Sequence, residues 1–147
     1  MPVTFTNNWK NILDKLRNVL RTEYGNTVPI YIGDEDTNTG NQYIRIEPIG
    51  SELIQQNVGY ETREFSINIY YIFSGANVKK TALDHILRFV SRTEALIHDN
   101  SSMDVATSPL STAHNCRFES TELGTDEEEN VYMVNWLWKC TLMGNIS

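Results

Sequence analysis

Residues 130–143 read NVYMVNWLWKCTLM, and the side to which each of these side chains turns decides the fold. As a strand, the segment sends Tyr132, Val134, Trp136, Trp138, Cys140 and Leu142 one way. Val131, Met133 and Leu137 go the other way, diluted only by Asn135, Lys139 and Thr141. A strand with one face in water alternates apolar and polar residues. This one is apolar on both sides, so its first face belongs in a core and its second calls for a cover.

Working outward, residues 113–123 read as a strand that leads through the acidic turn GTDEEEN (124–130) into that segment, a hairpin with a long loop. The other plain strand is YETREFSINIYYIF, residues 60–73, where Phe65, Ile67, Ile69, Tyr71 and Phe73 alternate with Glu64, Ser66, Asn68, Tyr70 and Ile72. Two shorter strands precede it, Val28–Ile32 and residues 42–48, separated by the loop GDEDTNTGN. Pro48 is expected to end the second. Residues 49–59, IGSELIQQNVG, have weak periodicity and two glycines and read as a long connection. Residues 99–112, DNSSMDVATSPLST, read as a loop by composition.

Two segments have helical spacing. Between Asn8 and Tyr24, Trp9, Ile12, Leu13, Leu16, Val19 and Leu20 fall on one face, with Thr6 or Asn7 placed to cap the start and Gly25 to stop the end. Between Asn77 and His98 the apolar set is Ala82, Leu83, Ile86, Leu87, Phe89, Val90, Leu96 and Ile97, which is wider than one stripe and predicts contact on two sides. The order is α-β-β-β-α-β-β. Two helices cannot cover both faces of such a sheet. The expected fold is therefore a single α+β domain, a mostly antiparallel sheet of about five strands with both helices on one face.

Composition narrows the function classes. A chain of 147 residues, 40% hydrophobic and 21% charged, has the makings of one globular domain that buries roughly two-thirds of its unfolded surface. Twelve Lys and Arg stand against nineteen Asp and Glu, and no basic run exceeds Lys79-Lys80, which argues against binding a phosphate backbone. No apolar stretch approaches the roughly 20 residues that span a bilayer. The opening MPVTFTNNWKN shows no positive segment followed by an apolar run, so no secretory signal is expected. Cys116 and Cys140 fall on the two strands of one hairpin, where a disulfide is geometrically open. In a reducing cytoplasm, buried free thiols are the expectation. Asn100-Ser101-Ser102 matches a glycosylation acceptor, which means nothing without secretion.

The sequence supplies no catalytic or metal-binding constellation. Counted from Asp34 as an EF-hand, DEDTNTGN places Thr39 where the loop needs glycine and Arg45 where it needs a bidentate glutamate, so a solvated hairpin loop is the better reading. Asp126, Glu127, Glu128 and Glu129 are consecutive on a turn and cannot converge as ligands or as an acid/base pair. A solvated tip, or a docking patch for a basic partner, fits them. His85, His98 and His114 have no ligand-spaced partners. Cys116 and His114, two apart on one strand, would share a face, yet burial of Cys116 explains it more simply than a nucleophile does. Tyr132, Trp136 and Trp138 lack the positive groove of a single-strand stacking platform and suit a core or a protein interface. No cofactor, metal or enzymatic activity is expected.

The layout of the chain resembles the tail terminator (tail-completion) proteins of tailed bacteriophages. The matching pieces are the helix NNWKNILDKLRNVL, the short strand VPIYIGDE, the strand QYIRIEP, the long strand REFSINIYYIF, the helix KKTALDHILRFVSRTEALI and the closing hairpin that ends in NVYMVNWLWKCTLM. The resemblance is a pattern of elements over nearly the whole chain, and no residue set transfers position by position. It implies a virion protein, assembled in the host cytoplasm, whose copies form a hexameric ring. Such a ring caps the tail tube, stops its polymerisation and offers the neck or connector protein a joint. The residues expected to make these contacts are Met133, Leu137, Tyr70 and Ile72 on the sheet, Leu53 and Ile54 in the long connection, and Asp126, Glu127, Glu128 and Glu129 in the acidic turn. Another neck or tail-tube ring component, and a stand-alone domain for a small apolar ligand, are the alternatives.

Overall fold

The first helical stripe forms α1 (Asn8–Tyr24). The Asn7 side chain accepts the Lys10 amide at 3.1 Å, meeting one of the donors a helix start leaves unpaired. At the other end Gly25 takes a positive φ of 60° and donates its N–H to the Arg21 carbonyl at 2.7 Å, a stop that a side chain would strain. In the computed structural model, residues 7–25, 27–33, 42–58, 60–74, 79–107, 110–126 and 131–145 are described. They continue with β1 (Ile30–Ile32), β2 (Gln42–Asn57), β3 (Tyr60–Ser74), α2 (Lys79–Asp99), β4 (Met103–Thr107), β5 (Leu110–Asp126) and β6 (Val131–Asn145).

The six strands make one sheet in the order β1-β2-β3-β6-β5-β4, antiparallel throughout except for β1 beside β2. The opening segment, β6, is therefore interior, hydrogen-bonded to β3 along one side and β5 along the other. Both helices pack on one face. Trp9 of α1 meets Phe65 edge-on at 4.7 Å, and Phe89 of α2 stacks on Tyr71 at 3.8 Å. Under them lie Ile44 and Ile46 of β2, Ile67 and Ile69 of β3, and Val134, Trp136, Trp138, Cys140 and Leu142 of β6, all buried. The helices are tied to each other by Tyr24, which stacks on Phe89 at 4.6 Å and shares a short hydrogen bond with Thr93, the buried polar residue of that layer.

Two expectations need correction. The sheet has six strands, because part of the segment read as a loop, Met103–Thr107, is β4. Its pairing with β5, from Met103↔Ala113 to Thr107↔Leu110, and burial of Met103 stabilise a strand that composition disguised. Residues 49–57 are strand as well. β2 runs past Pro48 and pairs with β3 as far as Asn57↔Tyr60, with register shifts at Pro48/Gly50 and Leu53/Gln55. Pro48 is tolerated because β1 pairs with β2 only through Ile46, so no described strand asks for a donor on that side. The end strands also extend further than expected, with β5 spanning Leu110–Asp126. The DEDTNTGN loop lies outside the described residues, as do Glu127, Glu128 and Glu129.

Candidate assembly surface

With both helices on one face, the register of β2, β3, β6 and β5 lays out the other face as rungs. Tyr43, Ile72, Met133 and Gly124 form one rung; Arg45, Tyr70, Asn135 and Glu122 form the next; Glu47, Asn68, Leu137 and Ser120 form the third. Residues opposite one another in an antiparallel pair share a face and lie within contact distance, so each rung is a physical row. Tyr70, Ile72, Met133 and Leu137 therefore share this face, with Met133 42% exposed. Tyr43 joins them and leads on to Tyr31 of β1, 6.1 Å away edge to face, and the Arg45 guanidinium lies 5.9 Å from the Tyr43 ring. Within the patch, Asn135 Oδ1 is buried without a hydrogen-bond partner among the described residues.

The same face turns ionic further along. Glu64 lies between Arg117, at 3.3 Å, and Lys139, at 3.5 Å, and Arg117 also reaches Glu119 at 2.9 Å. Burial works against the Arg117 charge, but its hydrogen bonds to Glu64 and Glu119 outweigh that and hold its pKa above the ordinary guanidinium value. Three strands contribute to this network. Nothing in the local sequence announces it, because Glu64 meets Arg117 and Lys139 only through the pairing of β3 with β6 and β6 with β5.

Leu53 and Ile54 are exposed but lie apart from the patch. Leu53 opposes Arg63, which turns to the same side as Phe65, and Ile54 sits in the register shift. They occupy one end of the sheet, while Asp126, opposite Val131, ends β5 at the other. A cleft of about 470 Å³ beside the first end is lined by Asn7, Asn8, Trp9, Ser51, Glu61, Arg63 and Phe65. On α2, Leu83 and Leu87 are 49% and 44% exposed while Ile86, Phe89 and Val90 are buried, so the apolar set does spread beyond the core stripe. Among the described residues no group of His, Cys, Asp or Glu is placed to hold a metal ion. His114 and Cys116 do not share a face. His114 opposes Thr141 and is exposed, whereas an extra residue in β5 turns Cys116 into the core.

One α+β domain of two layers, with helices on one side and a partly apolar sheet face left uncovered by the described residues on the other, is the class that this fold defines. No family model matches the sequence, and no curated protein does. Among solved structures, a chain from the virion of a native gene transfer agent particle is similar in fold. The likeness covers 90% of this chain and 92% of that one, with a TM-score of 0.57 and 13% identity. A likeness at that identity speaks for the fold.

Proposed function

We propose that the chain is a structural protein of a phage-like virion and acts as a tail terminator. Copies join into a ring, six by the family resemblance, that seats on the end of the tail tube, ends its growth and gives the neck or connector a joint. The role is mechanical and calls for no catalytic residue or cofactor. The observation that carries the reading is the fold likeness to a virion chain along almost the full length of both molecules. The uncovered rungs support it. A ring needs two different surfaces on each subunit. The Tyr43, Ile72 and Met133 row with Tyr70 and Leu137 supplies one, and the outer side of α2 at Leu83 and Leu87 supplies the other. Asn135 Oδ1, buried and without a donor among the described residues, gives a neighbouring copy something to satisfy. Leu53 and Ile54 at one end of the sheet, and Asp126 at the other, suit the tube and the connector, and Glu127, Glu128 and Glu129, next in sequence after Asp126, are proposed to take part with it.

Light scattering and negative-stain class averages of the purified chain, alone and with tail-tube protein, test this. Rings that arrest tube growth are expected. A strict monomer under both conditions overturns the proposal, and rings that stack into the tube instead of ending it make the chain a tube component. A monomer stabilised by an apolar small molecule would instead favour the ligand-binding alternative.

A further inference from the structure

We propose that Cys116 and Cys140 form a built disulfide site across β5 and β6, closed by a peroxide oxidant. The placement comes from one local feature of the backbone. Before it, β5 and β6 pair as Ala113↔Leu142 and His114↔Thr141; after it they pair as Arg117↔Lys139. Two residues of β5, Asn115 and Cys116, thus stand against one residue of β6, Cys140. Without the extra residue, the register would set Asn115 against Cys140 and turn Cys116 to the open face beside Lys139. A one-residue shift exchanges the faces of a strand, and a bulge applies that shift from one point onward. Asn115 absorbs it with a φ of 54°, a left-handed conformation that asparagine tolerates better than most side chains. The Cys116 amide, freed from the β6 ladder, donates to the Ser101 carbonyl at 2.9 Å, which anchors the bulge.

Both thiols are buried, and both are free in this structure. The Cys116 thiol donates to the Ala113 carbonyl at 3.6 Å, and the two sulfurs facing each other drive their acidities apart. Cys140 holds Cys116 below the ordinary thiol range. Cys140 itself is pushed up, first by Cys116 and then by burial. The bulge sets Cys116 against Cys140, so a thiolate formed at Cys116 has a resolving thiol across the ladder. The Cys116 thiolate attacks one oxygen of hydrogen peroxide. The O–O bond breaks, and the departing hydroxide takes up the proton that Cys116 released, leaving as water. Cys116 is left as a sulfenic acid. The Cys140 sulfur then attacks Cys116 Sγ, the S–O bond breaks, and a second water leaves with the Cys140 proton. Two thiols are oxidised to one disulfide and one peroxide is reduced to two waters. A particle that leaves a reducing cytoplasm meets such oxidants, and the bond would fasten β6 to β5 at the middle of the sheet.

The test uses the full chain, folded, treated with hydrogen peroxide and then quenched. Intact mass should fall by about 2 Da, the two hydrogens lost on closing a disulfide. A non-reducing digest should contain a peptide with Cys116 joined to Cys140, and thiol reagents should find neither cysteine after unfolding. The melting temperature should rise by roughly 5–10 °C over the reduced protein, because the bond cross-links a loop of about 25 residues in a small chain. Cys116→Ala should show no mass loss and no rise. The proposal is overturned if the wild-type chain gains oxygen without losing the two hydrogens, if disulfide-linked dimers form instead, or if both thiols remain titratable.

Discussion

Ile72 and Met133 are direct cross-strand partners on the face of the sheet that neither helix covers. Their side chains close a row that begins at Tyr43, and Met133 remains 42% exposed. A charge placed there meets water in the lone subunit and meets a neighbour in a ring. Met133→Lys should therefore leave stability within about 1 kcal/mol, as for an exposed position, while light scattering shows loss of the proposed ring. Equal losses of both would place Met133 in the fold and not at an interface.

Trp136 is fully buried between the helices and the sheet and stacks on Phe118 with centroids 5.2 Å apart. Trp136→Ala should cost about 3–5 kcal/mol in chemical denaturation, the usual price of emptying so large a site. Trp136→Phe should cost much less, because Nε1 is buried with no acceptor and its removal breaks no hydrogen bond among the described residues. A Phe variant as unstable as the Ala variant would mean that the indole N–H has a partner after all.

Asn115 carries the positive φ that makes the β5 bulge. A β-branched side chain there crowds the backbone, so Asn115→Val should destabilise by about 1–2 kcal/mol. Asn115→Gly should be nearly neutral. If Val were tolerated as well as Gly, the bulge would have to lie elsewhere in β5, and Cys116 would no longer be held opposite Cys140.

Burial raises the phenol pKa of Tyr71 above its ordinary value of 10.0, and raises that of Tyr24 despite the opposing Thr93 hydrogen bond. The folded state holds these protons more tightly than the unfolded chain. Their contribution to stability is complete below the unfolded pKa, near 10, and is lost as pH rises above it. Midpoints of urea unfolding should be flat across neutral pH on this account and fall above about pH 10. Replacing Tyr71 by Phe should soften that alkaline fall. It would also cost the hydrogen bond to Gln42, which measures 2.6 Å.

Local patterning made much of the fold legible. The stripe from Trp9 to Leu20 needs only helical geometry to be read, and the alternation from Phe65 to Phe73 needs only a strand. β4 was not legible, since Asp104 and Thr107 flank too few apolar residues to stand out before Met103 is buried. Residues 49–57 were misread for a related reason. Their side chains are mostly exposed, and what holds them in a strand is backbone pairing with β3, which leaves no mark on hydropathy. Of the open sheet face, the apolar members of β3 and β6 follow from strand alternation alone. Tyr43, and the Glu64 network with Arg117 and Lys139, do not, because their neighbours come from other strands.

The sequence by itself determined the α+β class, the two amphipathic helices, and the excess of apolar surface on residues 130–143, because each follows from periodicity along a few turns or a few strand residues. Only the tertiary structure decided which strands flank β6, which side chains share a rung, and which way Cys116 turns. Those depend on register, and one extra residue at Asn115 reverses a face without altering the composition around it.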